Sequence, residues 1–284
     1  MPGPNIIATE LAGADTAATA VIDAPLGLGK TTRQAAFNFV AGLAILFALW
    51  WLGIELLARS SSTAYFASFG PLPALRAMGG MWRSGQIQSA VWSSGWRLAT
   101  GLLIAIAVGA PIGVLIGRVR IFRELSNAPF QLLRMISPLS WEPIAVIVFI
   151  GWDSAIIFLI TIAAVWPVIF STAAGLAKVD PNWFKVARNL GASRWQILTQ
   201  IIVRAITFDV LTGLRLALGV AWIVLVPAEF FGVTSGLGYS IENARESINY
   251  DQLMAMVLVV GAIGYLLDGC IVQLIRRYGW QRHS

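Results

Sequence analysis

The chain alternates between long apolar segments and shorter polar ones. Six mostly apolar segments of about 20 residues recur along it, and a helix needs about 20 such residues to cross roughly 30 Å of hydrocarbon. The pattern predicts an all-α membrane protein with about six transmembrane helices. The predicted spans are Ala36–Leu57, Leu98–Gly117, Met135–Trp152, Ala155–Ala177, Val210–Ala228 and Leu253–Ile275.

The composition agrees with this pattern and excludes several kinds of chemistry. Of the 284 residues, 57% are hydrophobic and 12% are charged, whereas soluble domains average about 25% charged residues. The single cysteine, Cys270, cannot form an internal disulfide, and the single histidine, His283, provides neither a metal-ligand cluster nor a Ser-His triad. We therefore expect no cofactor, no metal and no membrane protease.

The basic residues are distributed unequally between the two sides of the predicted spans. The segments on one side contain 13 Lys and Arg residues, and those on the other contain five. Cytoplasmic segments of membrane proteins are the ones enriched in Lys and Arg. The sequence thus predicts a multi-pass membrane protein with both termini in the cytoplasm, and it attributes the net charge of +6 to topology rather than to nucleic-acid binding.

Three regions are predicted along the chain. Residues 1–35 are expected to be a disordered cytoplasmic tail, residues 36–89 the first span and an extracytoplasmic interfacial segment with short helices, and residues 90–284 the main membrane core. The tail ends in GLGKTT, which differs from a phosphate-binding P-loop because Ala24 occupies the position of the first glycine. We therefore expect no ATP hydrolysis by this chain.

The polar segment between spans four and five predicts a helix-turn-helix. Asp180 can cap a helix that has Pro181 at its first position, and Gly191 can end that helix. Ser193 and Gln196 then have the spacing of a capping box for a second short helix. Two caps and a glycine in this order indicate a docking element rather than a solvated linker.

The second span contains small residues at four-residue spacing, which places them near one helix face. Such a row allows close helix approach, either in permanent packing within the subunit, which we favour, or at a sliding interface between transporter halves. The row consists of Gly101, Ala105, Gly109, Gly113 and Gly117.

The helix-turn-helix resembles the cytoplasmic EAA loop of bacterial ABC-importer permeases. Ala187, Gly191 and Ile201 match that pattern, whereas Lys185 replaces its acidic residue and Arg204 its usual proline. Three further segments are similar to the nitrate, sulfonate, taurine and bicarbonate subgroup of these permeases. These segments are SPLSWEPIAVIVFIG (137–151), GLRLALGVAWIVLVPAEFFG (213–232) and GLGYSIENA (236–244).

The resemblance implies a non-catalytic permease subunit of the bacterial cytoplasmic (inner) membrane that imports a small solute such as nitrate, taurine or bicarbonate. Its implied partners are two cytoplasmic ATP-binding subunits, a second permease copy and an extracytoplasmic substrate-binding protein. A stand-alone secondary transporter or channel is the alternative, but it would have no use for the helix-turn-helix. The residues assigned to ATPase coupling are Lys185, Ala187, Arg188, Gly191, Ala192, Ser193, Arg194 and Ile201.

Polar residues between two prolines of the third span are the candidates for the solute pathway. Pro138 and Pro143 should distort the helix, and a carboxylate such as Glu142 is costly in the membrane unless it faces water or a partner. The alternative is a structural pair of Glu142 with Arg134 or Arg215. The residues assigned to the translocation pathway are Ser137, Ser140, Trp141, Glu142 and Arg215.

Overall fold

The computed structural model describes residues 32–59, 61–230 and 232–279, and all regular structure in these ranges is helical. This confirms the predicted all-α fold class. The chain divides into two units, residues 1–71 and 72–284. Most of the predicted tail, including nearly all of the GLGKTT segment, lies outside the described residues, and the first helix begins at Thr32.

The described residues of the first unit form one long helix and one short one. Helix α1 spans Thr32–Leu57 and includes the first predicted transmembrane segment. A 3-10 helix follows at Ser61–Phe69, in which the rings of Tyr65 and Phe66 stack with centroids 4.3 Å apart.

The second unit contains the other long apolar helices, joined by shorter ones. Together with α1, the helices α3, α6, α8 and α10 are long and apolar enough to cross a membrane, which makes five such helices in the described parts of the chain. The helices are α2 (Pro71–Arg83), α3 (Gln86–Arg118), α4 (Arg120–Met135), α5 (Glu142–Val148), α6 (Trp152–Ala177), α7 (Pro181–Asn189), α8 (Arg194–Ala228), α9 (Leu237–Glu246) and α10 (Tyr250–Gly279).

The third predicted span is broken. The prediction of one helix over Met135–Trp152 is wrong, because α4 ends at Met135 and is followed by a 3-10 turn at Pro138–Trp141 and the seven-residue helix α5. Proline cannot donate a backbone hydrogen bond and disfavours helical conformation in the residue before it. Pro138 accordingly follows extended backbone at Ile136 and Ser137.

Helix α6 lies between α3 and α8 and makes the closest contacts in the unit. A Cβ atom at Gly101 of α3 would lie 2.5 Å from Cγ2 of Ile160, and one at Gly113 would lie 2.6 Å from the carbonyl oxygen of Ile169. Only glycine permits these approaches. The small-residue row of span two therefore packs against α6 of the same chain, as the favoured interpretation of packing within the subunit predicts.

The opposite side of α6 approaches α8 in the same way. A Cβ atom at Gly213 of α8 would lie 2.5 Å from Cβ of Ser171, and one at Gly175 of α6 would lie 2.6 Å from Cβ of Asp209. Between the three helices, Ile156, Ile160 and Leu225 are completely or almost completely buried. Helices α3, α6 and α8 thus form the principal core.

The predicted caps of the helix-turn-helix are present. The Asp180 carboxylate accepts a hydrogen bond from the Asn182 amide at 2.8 Å. Ser193 and Gln196 form the reciprocal capping box at 3.2 and 2.7 Å. Gly191, between the two caps, has a φ of +77°. The local pattern of the sequence therefore determines this turn.

The second helix of this element is longer than predicted. Instead of a short helix followed by a separate fifth span, α8 runs for 35 residues from Arg194 to Ala228 and includes a π-helical stretch at Ile197–Ile202. No glycine or proline interrupts its first half, since Arg204 occupies the position where the resembling loop has proline. The second helix of the helix-turn-helix is consequently continuous with a membrane span.

Helices α7 and α9 end in the same type of turn. After α7, the Ala192 amide donates to the Ala187 carbonyl and the Gly191 amide donates to the Arg188 carbonyl. After α9, Asn249 donates to Ala244, and Ile248 donates to Arg245. In this turn the residue after the helix is left-handed. Ile248 adopts a φ of +58°, a conformation that costs an L residue about 1–2 kcal/mol.

Two Gly→Ala substitutions in α3 test the close helix packing. We expect Gly113→Ala to lower the stability of the protein by about 1–3 kcal/mol, because the added methyl group overpacks the α3–α6 contact. Gly95→Ala is the matched control, since a Cβ atom there would have no neighbour within 4 Å. It should leave stability unchanged or raise it by up to about 1 kcal/mol. Thermal unfolding in detergent measures both, and equal melting temperatures would contradict the packing.

Candidate functional site

The candidate pathway residues lie at the break between α4 and α5. Ser137 and Ser140 are exposed, whereas Trp141 packs against the main core. Glu142 is half-buried at the first position of α5. Among the described residues it has no ion-pair partner, so neither alternative pair, with Arg134 or with Arg215, is present.

The two arginines considered as partners of Glu142 have other neighbours. The Arg134 guanidinium lies over the Phe170 ring, 5.3 Å from its centroid. Arg215 on α8 forms a two-pronged ion pair with Asp268 on α10, with hydrogen bonds of 2.7 and 2.9 Å. Both members of this pair are about half exposed. Arg215 therefore links two transmembrane helices rather than approaching the break.

The residues assigned to ATPase coupling divide into buried and exposed groups. Ala187 is buried with Ile197, Ile202 and Ile206, and Ala192 and Ile201 are half-buried against the same cluster. This cluster fixes the turn to the start of α8. The exposed members are Lys185, Arg188, Gly191, Ser193 and Arg194.

Helix α7 also exposes an apolar surface. Trp183, Val186 and Leu190 follow at spacings of three and four residues, so they share one face. Their exposed fractions are 59%, 57% and 81%. We call the helix-turn-helix formed by α7 and the start of α8 the hairpin, and we call these three exposed residues the hairpin face. An exposed apolar face beside Lys185 and Arg188 is typical of a protein interaction site.

A buried ionic cluster lies at the ends of α3, α6 and α8 that are farthest from the hairpin. It is formed by Ser94, Arg97, Asp153 and Glu229. Arg97 donates from Nη1 to Glu229 at 2.6 Å and from Nε to Asp153 at 2.7 Å. The Ser94 hydroxyl lies 2.7 Å from Oε2 of Glu229. Glu229 is completely buried, whereas the Asp153 side chain is 70% exposed.

Backbone groups that follow α8 complete the cluster. The amide of Gly238 donates to Glu229 at 3.0 Å, and the amide of Leu237 donates to Ser94 at 2.8 Å. A Cβ atom at Gly236 would lie 2.5 Å from Oε2 of Glu229, which explains the glycine there. The cluster therefore joins α3, α6 and α8 to the start of α9.

Sequence reasoning missed this cluster as a unit. The available signal was opposite charge at equivalent ends of three spans, since Arg97 precedes Leu98, Asp153 precedes Ala155 and Glu229 follows Ala228.

These features define a multi-pass α-helical membrane protein with an exposed hairpin at one end of its core. The chain belongs to the family of binding-protein-dependent transport system inner membrane components, because the model of that family matches residues 109–279. The match includes α6 to α10 and the hairpin.

Named relatives support the same family. The chain is 36% identical over 182 residues to the bicarbonate transport system permease protein CmpB of Synechococcus elongatus, a match that covers 63% of this chain and 65% of that protein. It therefore spans slightly less than two thirds of that relative. The nitrate import permease protein NrtB of Leptolyngbya laminosa is 33% identical over 66% of this chain and 68% of its own. The taurine transport system permease protein TauC of Escherichia coli is 35% identical over 64% of this chain and 66% of its own.

A solved structure has a similar fold. It is an inward-facing structure of the MetNI methionine ABC transporter, in which one chain matches with a TM-score of 0.58 and 16% sequence identity. The match covers 70% of this chain and 98% of that one. At this identity the likeness concerns the fold alone.

Glu229→Gln tests whether the buried ionic cluster stabilises the core. Both Glu229 oxygens accept hydrogen bonds, so a glutamine amide would point a donor at another donor and leave Arg97 with less compensating charge. We expect a loss of about 3 kcal/mol, as for breaking other buried ion pairs. The control is Glu124→Gln, in an exposed pair with Arg120, which should change stability by less than about 1 kcal/mol. Thermal unfolding that affects both variants equally would contradict this role.

Proposed function

We propose that the chain is the permease subunit of an ATP-driven importer that moves a small solute across the inner membrane. This proposal rests mainly on the capped hairpin that follows α6, which combines an exposed apolar face with exposed basic residues. Family membership and the names of the relatives support the same role. A stand-alone secondary transporter has no ATP-binding subunit that could bind the hairpin.

The hairpin is the docking element for a cytoplasmic ATP-binding subunit. Exposed apolar side chains on a rigid helix gain free energy when a partner buries them, and the basic side chains beside them favour an acidic rim on that partner. Because α7 packs on the start of α8, movement of the docked subunit would be transmitted directly into a membrane helix. Two ATP-binding subunits perform the hydrolysis, and a second permease copy completes the path.

The proposed topology places the hairpin and both termini in the cytoplasm. The excess of Lys and Arg on the hairpin side of the spans supports this orientation. The buried ionic cluster then lies toward the extracytoplasmic side, where a binding protein delivers the solute.

The solute pathway passes the break in the third span. Broken helices free backbone groups that are tolerated in a membrane where they line a cavity or are covered by protein. Ser137, Ser140, Trp141 and Glu142 occur at that break. Arg215, held by Asp268 on a half-exposed surface, contributes a charged group farther along α8.

The transported solute belongs to the class of small anions. Bicarbonate, nitrate and taurine appear in the names of three relatives, and each has a negatively charged oxygen group at neutral pH. Arg134, which lies next to the break and outside the ion pairs of the described residues, provides positive charge there.

Leu190→Asp tests the docking role of the hairpin face. Leu190 is 81% exposed, so the substitution should leave folding intact, but a carboxylate would oppose burial at an apolar interface. We expect loss of co-purification with the ATP-binding subunit and loss of uptake. The control is Asn189→Asp at the adjacent exposed position, which adds the same charge outside the hairpin face. Normal assembly of the Leu190 variant would contradict the docking assignment.

Cysteine labelling at Ser140 tests the pathway. Cys270 is the only native cysteine, so Ser140→Cys in a Cys270→Ser background gives a single reactive site. We expect a water-soluble maleimide to label this position in at least one nucleotide state, because a pathway residue meets water. The control is Ala164→Cys on α6, where the native residue is completely buried and labelling should fail. Protection of position 140 in every state and from both sides would remove the break from the pathway.

A further inference from the structure

The turn between α9 and α10 contains an isoleucine in a position that suits glycine. The equivalent turn after α7 has the same pair of backbone hydrogen bonds and carries Gly191 at this position. In the α9 turn Ile248 adopts the left-handed conformation instead. Branching at Cβ makes that conformation especially unfavourable for isoleucine.

The side chain of Ile248 gains nothing from packing that would offset this strain. It is 69% exposed, and the residues on either side, Ser247 and Asn249, are exposed as well. Glycine would relieve the conformation and remove an apolar surface from solvent. Strained residues of this kind persist mainly at functional sites, and the fold alone does not require this side chain.

The turn that contains Ile248 joins two helices, α9 and α10, that are held in place by contacts with the core. The start of α9 is held by Ser94 and Glu229 through two amide hydrogen bonds. Leu237 on α9 and Met256 on α10 are almost completely buried in one apolar cluster. A force applied at Ile248 therefore reaches α3 and α8 through fixed contacts rather than through a loose loop.

We propose that Ile248 is an anchor residue on which the extracytoplasmic binding protein docks. The inference rests on the proposed function and its topology, which place the α9–α10 turn on the side from which solute is delivered. The left-handed backbone projects the isoleucine from a polar turn, where a partner with a small apolar pocket can bury it. The exposed side chains of Arg245 and Glu246 fit a polar rim around that pocket.

The docking contact would also explain why the turn is rigid. Binding at Ile248 would act on α9, and the buried ionic cluster would pass the displacement to the ends of α3 and α8. The same two helices lead to the opposite side of the membrane, where α8 is continuous with the hairpin. Ile248 is thus a positioning residue for transport and not part of the solute pathway.

The test uses the complete importer reconstituted in lipid nanodiscs. ATP hydrolysis is measured against the concentration of the binding protein that supports wild-type uptake, with nitrate, bicarbonate or taurine as the probe solute. The variants Ile248→Gly and Ile248→Ala remove the side chain, and Ile248→Leu retains an apolar one. Ile121→Ala is the matched control, because Ile121 is 70% exposed on α4 at the opposite, cytoplasmic end of the proposed topology.

We expect the half-maximal concentration of binding protein to rise about tenfold in the Gly and Ala variants, the order expected for an apolar side chain that is no longer buried. Ile248→Leu and Ile121→Ala should remain near the wild-type value. Hydrolysis without binding protein should not change, and Ile248→Gly should melt at or above the wild-type temperature because the strain is relieved.

Two results would overturn the inference while leaving the proposed function intact. One is an unchanged half-maximal concentration in both side-chain deletions. The other is a loss of yield or melting temperature at an unchanged half-maximal concentration, which would identify Ile248 as a lipid anchor or a structural residue. If the wild-type complex were not stimulated by a binding protein with any of the three probe solutes, the proposed function would fail, and this inference would fail with it.

Discussion

The approach of α6 to α3 on one side and to α8 on the other is the contact on which the rest of the structure depends. Glycines at the crossing points bring these helices to distances that any side chain would prevent. Lipid tails are as apolar as the side chains, so no hydrophobic force drives these helices together in a membrane. Van der Waals contact at such close approaches is instead a principal source of helix association. The three helices form a rigid core, and the less regular elements are attached to its two ends.

The buried and the accessible polar groups of the second unit lie in different places. At one end, Arg97 and Glu229 are buried and hydrogen-bonded to each other, and their further bonds to Ser235 and Gly238 hold the start of α9 in place. At the break in the third span, by contrast, Glu142 is half-buried and outside the ion pairs of the described residues. Since membrane proteins keep an unsatisfied carboxylate only where water or a partner can reach it, the break is the better candidate for a pathway.

What could be predicted from the sequence depends on how local each signal is. The caps at Asp180 and Ser193 involve residues two or three positions apart, so the hairpin was predicted with its turn at Gly191. Pro138 and Pro143 predict a distortion of the third span, but not that the helix ends there, because apolar residues continue on both sides of the break. Arg97 and Glu229 lie 132 positions apart, and the only sequence signal for their contact is that both lie at the same end of the predicted spans. The left-handed conformation of Ile248 was equally inaccessible, because its residue type argues against it.

ATP-dependent uptake in proteoliposomes tests the central claim most directly. The chain would be reconstituted with its ATP-binding subunit, and radiolabelled bicarbonate, nitrate or taurine would be supplied with the binding protein on the side opposite the hairpin. The account predicts that one of these solutes accumulates only when ATP, the ATP-binding subunit and the binding protein are all present. Uptake by the chain alone, driven by an ion gradient without ATP, would contradict it and would identify a secondary transporter.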